Sequence, residues 1–250
     1  MSNSVDMKRV HDVLLRTGKC ITEILERHDI PYMLAYGTLL GAVRHRGFIP
    51  WDDDFDLMLF DDTYGAAMDF LRAELPEDLF LEDEKSEPLF FHAWSHVKDL
   101  HTRATHSQFL HDNAYSHHGV SVDLYIARRM KMCELNDYRN NENSAYIERR
   151  RDKGLITHED FSRRMADLQK ARQAAAHEDK SDTHEVLALM GKGKSFELDE
   201  VFPLKRYQFE DAEFYGPAKA EVILQKIYGE FMKFPPVEER TGHYSSVVFS

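Results

Sequence analysis

Residues 36–60 read YGTLLGAVRHRGFIPWDDDFDLMLF and bring four aspartates, Asp52, Asp53, Asp54 and Asp56, to the start of an apolar run. Carboxylates this close repel one another unless cations or hydrogen-bond donors compensate them. Residues 55–60 alternate as a strand, with Phe55, Leu57 and Leu59 on one face and Asp54, Asp56 and Met58 on the other. At a rise of about 3.3 Å per residue, the stems of Asp54 and Asp56 stand about 6.5–7 Å apart. Carboxylates converging from that spacing can hold one or two hard cations through oxygen. A merely solvated acidic loop has no need of alternate carboxylates on an apolar strand. A second strand, GVSVDLYI at 119–126, turns Val120, Val122, Leu124 and Ile126 one way and Ser121, Asp123 and Tyr125 the other. By itself Asp123 would read as the exposed face of an edge strand. In one sheet with Asp54 and Asp56, it becomes a third carboxylate for the same metals.

The elements that must position these acids follow from periodicity. Val10, Val13, Leu14, Thr17, Ile21, Ile24 and Leu25 recur at helical spacing, so an amphipathic helix is expected to end near Asp29, ahead of Pro31. A short strand at 32–36, a turn at Gly37 and Thr38, and a short helix at 39–44 should precede the loop carrying Gly47, Pro50 and Trp51. A helix is expected at 63–74, stopped by Pro76, with strands at 79–81 and 89–97. Residues 128–194 are charged and largely helical in pattern, which reads as a helical insertion in a single domain over 1–250. Its end, GKGKS at 191–195, lacks the first glycine of a phosphate-binding loop, because Ala188 stands there, and reads as a connector. Beyond it, a strand at 205–210 and a helix at 217–228 closed by Gly229 are expected.

A chain of 250 residues that is 42% hydrophobic can bury a full core. Its net charge of −12 argues against a nucleic-acid surface, so an anionic substrate must meet placed cations. Cys20 and Cys133 form neither a disulfide framework nor a metal knuckle. With no apolar leader and no run long enough to span a bilayer, a cytoplasmic protein without a transmembrane segment is expected. Seven of the 14 histidines fall between His92 and His118, yet neither paired cysteines nor a helical HxxxH accompanies them.

Taken together, GTLLGAVRHRGFIPWDDDFDL, HVKDLHT, HGVSVDLYI and FPLKRYQFEDAEFYGPAKAEVILQKIYGEFMKFPP resemble the LicD family of phosphocholine transferases, which is similar to the catalytic domain of fukutin-type proteins. The resemblance runs from about residue 32 to 236 and is weakest in the helical insertion. It implies an α+β fold of nucleotidyltransferase type, a mixed sheet flanked by helices, with Gly37 and Thr38 as the helix-turn motif. Asp54 and Asp56 become the paired acids and Asp123 the third, all three catalytic and metal-ligating. One departure is Phe55 between the paired acids, where an aliphatic residue is commoner; it stays apolar and leaves the metal site intact. The implied reaction moves a phospho-alcohol, most familiarly phosphocholine from CDP-choline, to a hydroxyl of a cell-surface glycan such as lipopolysaccharide or teichoic acid, releasing CMP.

In such a reaction a hydroxyl attacks a pyrophosphate linkage in line, and divalent cations, Mg²⁺ or Mn²⁺, neutralise the developing charge. Asp123 would also orient or deprotonate the acceptor. The Gly37-Thr38 turn would present N–H groups and a hydroxyl to phosphate. Arg44, Arg46, Lys98, Lys205 and Arg206 are candidate phosphate contacts, with Arg44 and Lys98 inside the matching motifs. His117 and His118 could meet phosphate or acceptor. A quaternary ammonium would need aromatic walls, for which Trp51, Trp94, Tyr115 and Tyr125 are candidates. Asp52 and Asp53 either tune the ligands and hold the loop or are only solvated. Two alternatives keep the fold: a nucleotidyltransferase that releases pyrophosphate, or a non-catalytic binding protein.

Overall fold

The computed structural model describes residues 5–107, 110–174, 181–189 and 194–250. Helix α1 (Met7–Arg27) is capped by Asp6, whose carboxylate accepts the Arg9 N–H, and it buries Val10, Leu14, Thr17, Ile21, Ile24 and Leu25 as one stripe. The chain leaves it through Asp29 at φ 53° and enters strand β1 (Tyr32–Leu34). Helix α2 (Tyr36–His45) follows at once. Gly37 and Thr38 are therefore the first turn of α2, where a separate turn was expected. Tyr36, at φ 41°, bends the chain directly off the strand, and Thr38 Oγ1 accepts the Asp56 N–H at 2.8 Å.

Strand β2 (Phe55–Phe60) has the expected bounds, and α3 (Asp61–Glu74) follows it. Strands β3 (Leu79–Glu82), β4 (Ser95–Asp99) and β5 (Thr102–His106) come next. Residues 89–94 are irregular rather than the start of a strand, because Phe90 and Phe91 are both buried with Tyr115, which a one-sided pleat does not allow. Strand β6 (Ser121–Lys131) runs five residues past its expected end. Helices α4 (Leu135–Asp152) and α5 (His158–Ala174) pack on each other, after which β7 (Glu185–Leu189) and β8 (Ser195–Glu197) return to the sheet. Residues 128–131 and 185–189 are thus sheet, not insertion helix; of the connector expected at 191–195, residues 191–193 lie outside the described residues and Ser195 begins β8. The chain closes with α6 (Leu198–Val201), the hairpin β9 (Lys205–Phe209) and β10 (Ala212–Gly216), α7 (Ala220–Tyr228), and β11 (Tyr244–Phe249).

The main sheet orders its strands β1-β2-β6-β4-β3. β2 and β6 are parallel, and the other pairs are antiparallel. Along its second edge β6 pairs first with β4 and then with β7. β11 pairs with β5, tying the end of the chain to its middle. On the core side of β2, Phe55 meets Phe209 and Phe214 with ring centroids 5.4 Å away and Phe48 at 6.0 Å, while Gly18 of α1 lies against its edge. Burying that ring is worth about 2–3 kcal/mol, and it pins β2 so that its other face looks into a cavity. The fold is the expected α+β arrangement, a mixed sheet flanked by helices.

Candidate active site

The sheet register lines up one polar row. Asp56 on β2 stands opposite Asp123 on β6, Asp123 opposite His96 on β4, and His96 opposite Glu82 on β3. Cross-strand partners point to the same face, so the row runs across four strands on one side of the sheet. Asp56, Asp123 and His96 of this row floor a cavity of ≈ 320 Å³ whose walls include Asp52, Asp53, Asp54, Gly37, Tyr36, Trp94, Lys98, Tyr125, Tyr228 and His243, while Glu82 is buried beyond it.

The acids differ in their surroundings. Asp53 is 1% exposed, and its carboxylate accepts from the backbone N–H groups of His243 at 2.6 Å and Tyr244 at 2.9 Å, and from His243 Nδ1 at 3.0 Å. Burial pushes its pKa up, but these donors prevail and hold it below the ordinary carboxylate value. Asp53 is thus a clasp for the C-terminal segment. Asp54 is the opposite case. Burial first, then the charge of Asp52, drives its pKa well above the ordinary value. Its side chain is 31% exposed, toward the cavity, yet Oδ1 is fully enclosed and has no hydrogen-bond partner. Asp52 is shifted upward too, mainly by burial, and its oxygen lies so close to Gly37 that a Cβ there would sit 2.6 Å from it. Glycine at 37 is what lets Asp52 into the cluster.

One oxygen each from Asp52 and Asp54 and one ring nitrogen of His243 lie within 4.8 Å of one another, a grouping able to hold a cation. The imidazole of His243 is raised to about 9, first by its hydrogen bond to Asp53, against burial, with Asp54 and Asp52 adding to it. In the ion-free protein it is a cation near neutral pH that answers the acids, and a metal ion would take its ring nitrogen only by displacing that proton. The expected ligand set was Asp54, Asp56 and Asp123; all three face the cavity, while among the described residues the grouping close enough to share one ion is Asp52, Asp54 and His243. Asp123 Oδ2 accepts from Trp94 Nε1 and from the Tyr125 hydroxyl, both at 3.2 Å, and its Oδ1 lies 3.8 Å from His96 Nε2.

Aromatic rings form another wall. Trp94 stacks on Tyr125 at 4.7 Å, and Tyr36 meets Tyr125 edge-on at 5.0 Å. Tyr228 of α7 completes the lining, and its phenol is pushed upward by burial and by Asp56, Asp54 and Asp52. His92, His96, His106 and Asp112 border the cavity near β4 and β5. Burial takes His106 down to about 4.

Several residues expected here are held elsewhere. Lys98 lines the cavity but is 2% exposed, with Nζ on Glu82 at 2.7 Å and on the His117 carbonyl at 2.8 Å, so its charge is spent within the fold. Thr38 is buried, its hydroxyl engaged by the Asp56 N–H. Arg44 donates to the Phe231 carbonyl at 2.7 Å and covers the Phe234 ring. Trp51 packs on Phe234 and under Arg240, outside the cavity lining. Arg206 is held by Glu26 at 2.6 Å and Lys205 by the Ala218 carbonyl at 2.7 Å, both on the β9–β10 hairpin. His118 lines a separate cleft with His101 and Arg103, and Tyr115 belongs to the Phe90–Phe91 cluster. Sequence reasoning had not singled out His243, Tyr36 or Tyr228. No periodicity marks them; the dense histidines at 92–118 were a visible signal only for the wall that His92, His96 and His106 form.

The family model for the LicD/FKTN/FKRP nucleotidyltransferase domain matches residues 29–146. Over 241 residues the chain is 27% identical to the lipopolysaccharide cholinephosphotransferase LicD of Haemophilus influenzae, covering 88% of this chain and 89% of that one. Over 93 residues it is 33% identical to the human ribitol 5-phosphate transferase FKRP, 35% of this chain but 19% of that protein. Since the matched residues include both β2 and β6, the likeness to the LicD/FKTN/FKRP nucleotidyltransferase domain reaches the strands that carry Asp56 and Asp123.

Proposed function

We propose that this enzyme transfers a phospho-alcohol, specifically phosphocholine from CDP-choline, to a hydroxyl of a cell-surface glycan and releases CMP. The observation that carries the reading is one cavity holding an acid cluster with an orphaned carboxylate oxygen beside the aromatic wall of Tyr36, Trp94, Tyr125 and Tyr228. A quaternary ammonium has no proton to donate, so it is recognised by ring faces and a nearby carboxylate rather than by hydrogen bonds. The relative from Haemophilus influenzae, named a cholinephosphotransferase, supports choline; FKRP, named a ribitol 5-phosphate transferase, supports the wider class of phospho-alcohols.

Asp52, Asp54 and His243 would hold a divalent cation, Mg²⁺ or Mn²⁺, whose chemistry is to neutralise charge on the transferring and leaving oxygens. The donor set fits such an ion, because Asp54 Oδ1 lacks any other partner and its carboxylate is disfavoured as an isolated charge. The chain's own residues do the rest. Gly37 leaves room for Asp52, Trp94 and Tyr125 fix Asp123, and Asp56 stands beside Asp123 across the parallel pair. The rings orient the alcohol and exclude water around the phosphorus.

Incubation with CDP-choline, CDP-ribitol and CDP-glycerol in turn, with Mg²⁺ or Mn²⁺ and a glycan acceptor, tests this. CMP released with CDP-choline as the preferred donor is expected. Pyrophosphate release from a nucleoside triphosphate would instead make the protein a nucleotidyltransferase, and preference for a polyol would move the assignment to that alcohol.

A further inference from the structure

His92 and Asp112 form a buried pair on the cavity wall that the functions above leave unused. His92 Nε2 lies 3.0 Å from Asp112 Oδ1, and the two side chains are 6% and 7% exposed. A carboxylate only accepts, so Nε2 carries the proton and donates it. The other ring nitrogen, Nδ1, is enclosed without a hydrogen-bond partner. A buried acceptor left unmatched costs about 1–3 kcal/mol, a cost that a hydroxyl donated by a ligand would remove. His92 borders the cavity beside Trp94, whose ring centroid is 4.8 Å from its own.

We propose that His92, oriented by Asp112, is the general base that accepts the proton of the acceptor hydroxyl; this rests on the transferase reading above. In the step, the acceptor oxygen attacks the phosphorus of the phosphocholine group and its proton passes to His92 Nδ1. A phosphodiester P–O bond forms as the bond to the bridging oxygen breaks, and CMP departs with that electron pair. The imidazolium, stabilised by Asp112, then returns its proton to solvent. An acid that orients one imidazole nitrogen while the other faces substrate is a recurrent base arrangement. Asp123, the other candidate, already has Oδ2 engaged by Trp94 Nε1 and the Tyr125 hydroxyl. Burial depresses the His92 pKa against the pull of Asp112, which keeps the ring neutral and basic near pH 7. The titratable and charged groups around it are Asp112 and Tyr115, His96 on β4, Asp123 on β6 and, through Asp112, His106 on β5, with Arg149 and Arg150 of α4 reaching the neighbouring Phe91.

Two measurements on the full chain decide the assignment. Nitrogen-15 NMR of the imidazoles at neutral pH is expected to show His92 neutral with its proton on Nε2; a proton on Nδ1 overturns the proposal. In steady-state assays, His92→Gln should lower kcat by about 10²–10⁴-fold at unchanged half-saturation by CDP-choline, and should abolish the acidic limb of the kcat profile. Asp112→Asn should keep that limb but displace it, which separates a positioning role from a structural one even if His92→Gln folds poorly. Turnover by a folded His92→Gln protein within about threefold of the parent, at all pH values, overturns the proposal. If the parent releases CMP from no CDP-alcohol, the donor reading falls, and the NMR tautomer alone then decides whether His92 is a poised base.

Discussion

Asp54 holds a charge that the protein alone does not want: burial and the neighbouring Asp52 both oppose its ionisation, and Oδ1 has no donor. Asp54→Asn should therefore abolish transfer while leaving the fold at least as stable in EDTA, by up to about 3 kcal/mol, the repulsion of two like charges this close at an effective dielectric near 20. Urea denaturation checks the stability, and the shift in melting temperature on adding Mn²⁺ should disappear in the variant, because an ion that binds only the native state stabilises it in proportion to its occupancy. A variant that retains both the Mn²⁺ shift and turnover would remove Asp54 from the site. The two tryptophans separate in the same way. Trp94 faces the cavity, so Trp94→Leu should raise the half-saturating CDP-choline concentration by about 2–30-fold, the equivalent of about 0.5–2 kcal/mol of cation–π attraction. Trp51 packs on Phe234 and Arg240, so Trp51→Leu should leave that constant unchanged and lower the melting temperature instead.

At the scale of elements, the approach to β11 determines whether the acid cluster is complete. Asp53, just ahead of β2, clasps the backbone at 243 and 244 through charge-assisted bonds, and that clasp delivers the His243 ring to Asp52 and Asp54. Gly242 permits the close approach, since a Cβ there would lie 2.3 Å from Asp53 Oδ2. Asp53→Ala leaves two N–H groups without their acceptor and should cost about 2–5 kcal/mol. Limited proteolysis should then cut beyond residue 239 sooner than in the parent, and transfer should fall although no proposed ligand has been altered. Gly242→Ala should reproduce both effects. An Asp53→Ala protein with parental proteolysis and parental rate would show that the clasp is dispensable.

For the whole molecule, stability should depend on pH in both directions from neutrality. His106 is depressed to about 4 by burial, so the stability tied to its neutral form is complete above an unfolded value near 6.5 and is lost as pH falls toward 4. His243 is raised to about 9, so the stability tied to its charged form is complete below about 6.5 and is lost as pH rises toward 9. In EDTA, unfolding free energy measured in urea should peak between pH 6 and 7.5, with each flank worth at most about 3 kcal/mol. His243→Gln should flatten the alkaline flank and leave the acidic one. Among the described residues no helix is long and apolar enough to cross a membrane.

Local alternation was enough to place Asp54 and Asp56 on one face ahead of and along β2, and Asp123 on one face of β6, because side-chain direction in a strand follows from a period of two. Helical spacing was enough for α1, and Pro31, Pro76 and Gly229 marked the ends of α1, α3 and α7. Strand pairing came only with the tertiary structure: the parallel register that sets Asp56 beside Asp123, and the antiparallel one that brings His96 and Glu82 into the same row. Partner choice also decided which cations are free, for Lys98, Arg44 and Arg206 are claimed by Glu82, the Phe231 carbonyl and Glu26. His243 reaches Asp53 across 190 positions of chain. A contact of that span leaves no local period in either segment, because it is set by how β11 closes on β5, and residue types at neighbouring positions do not encode that closure.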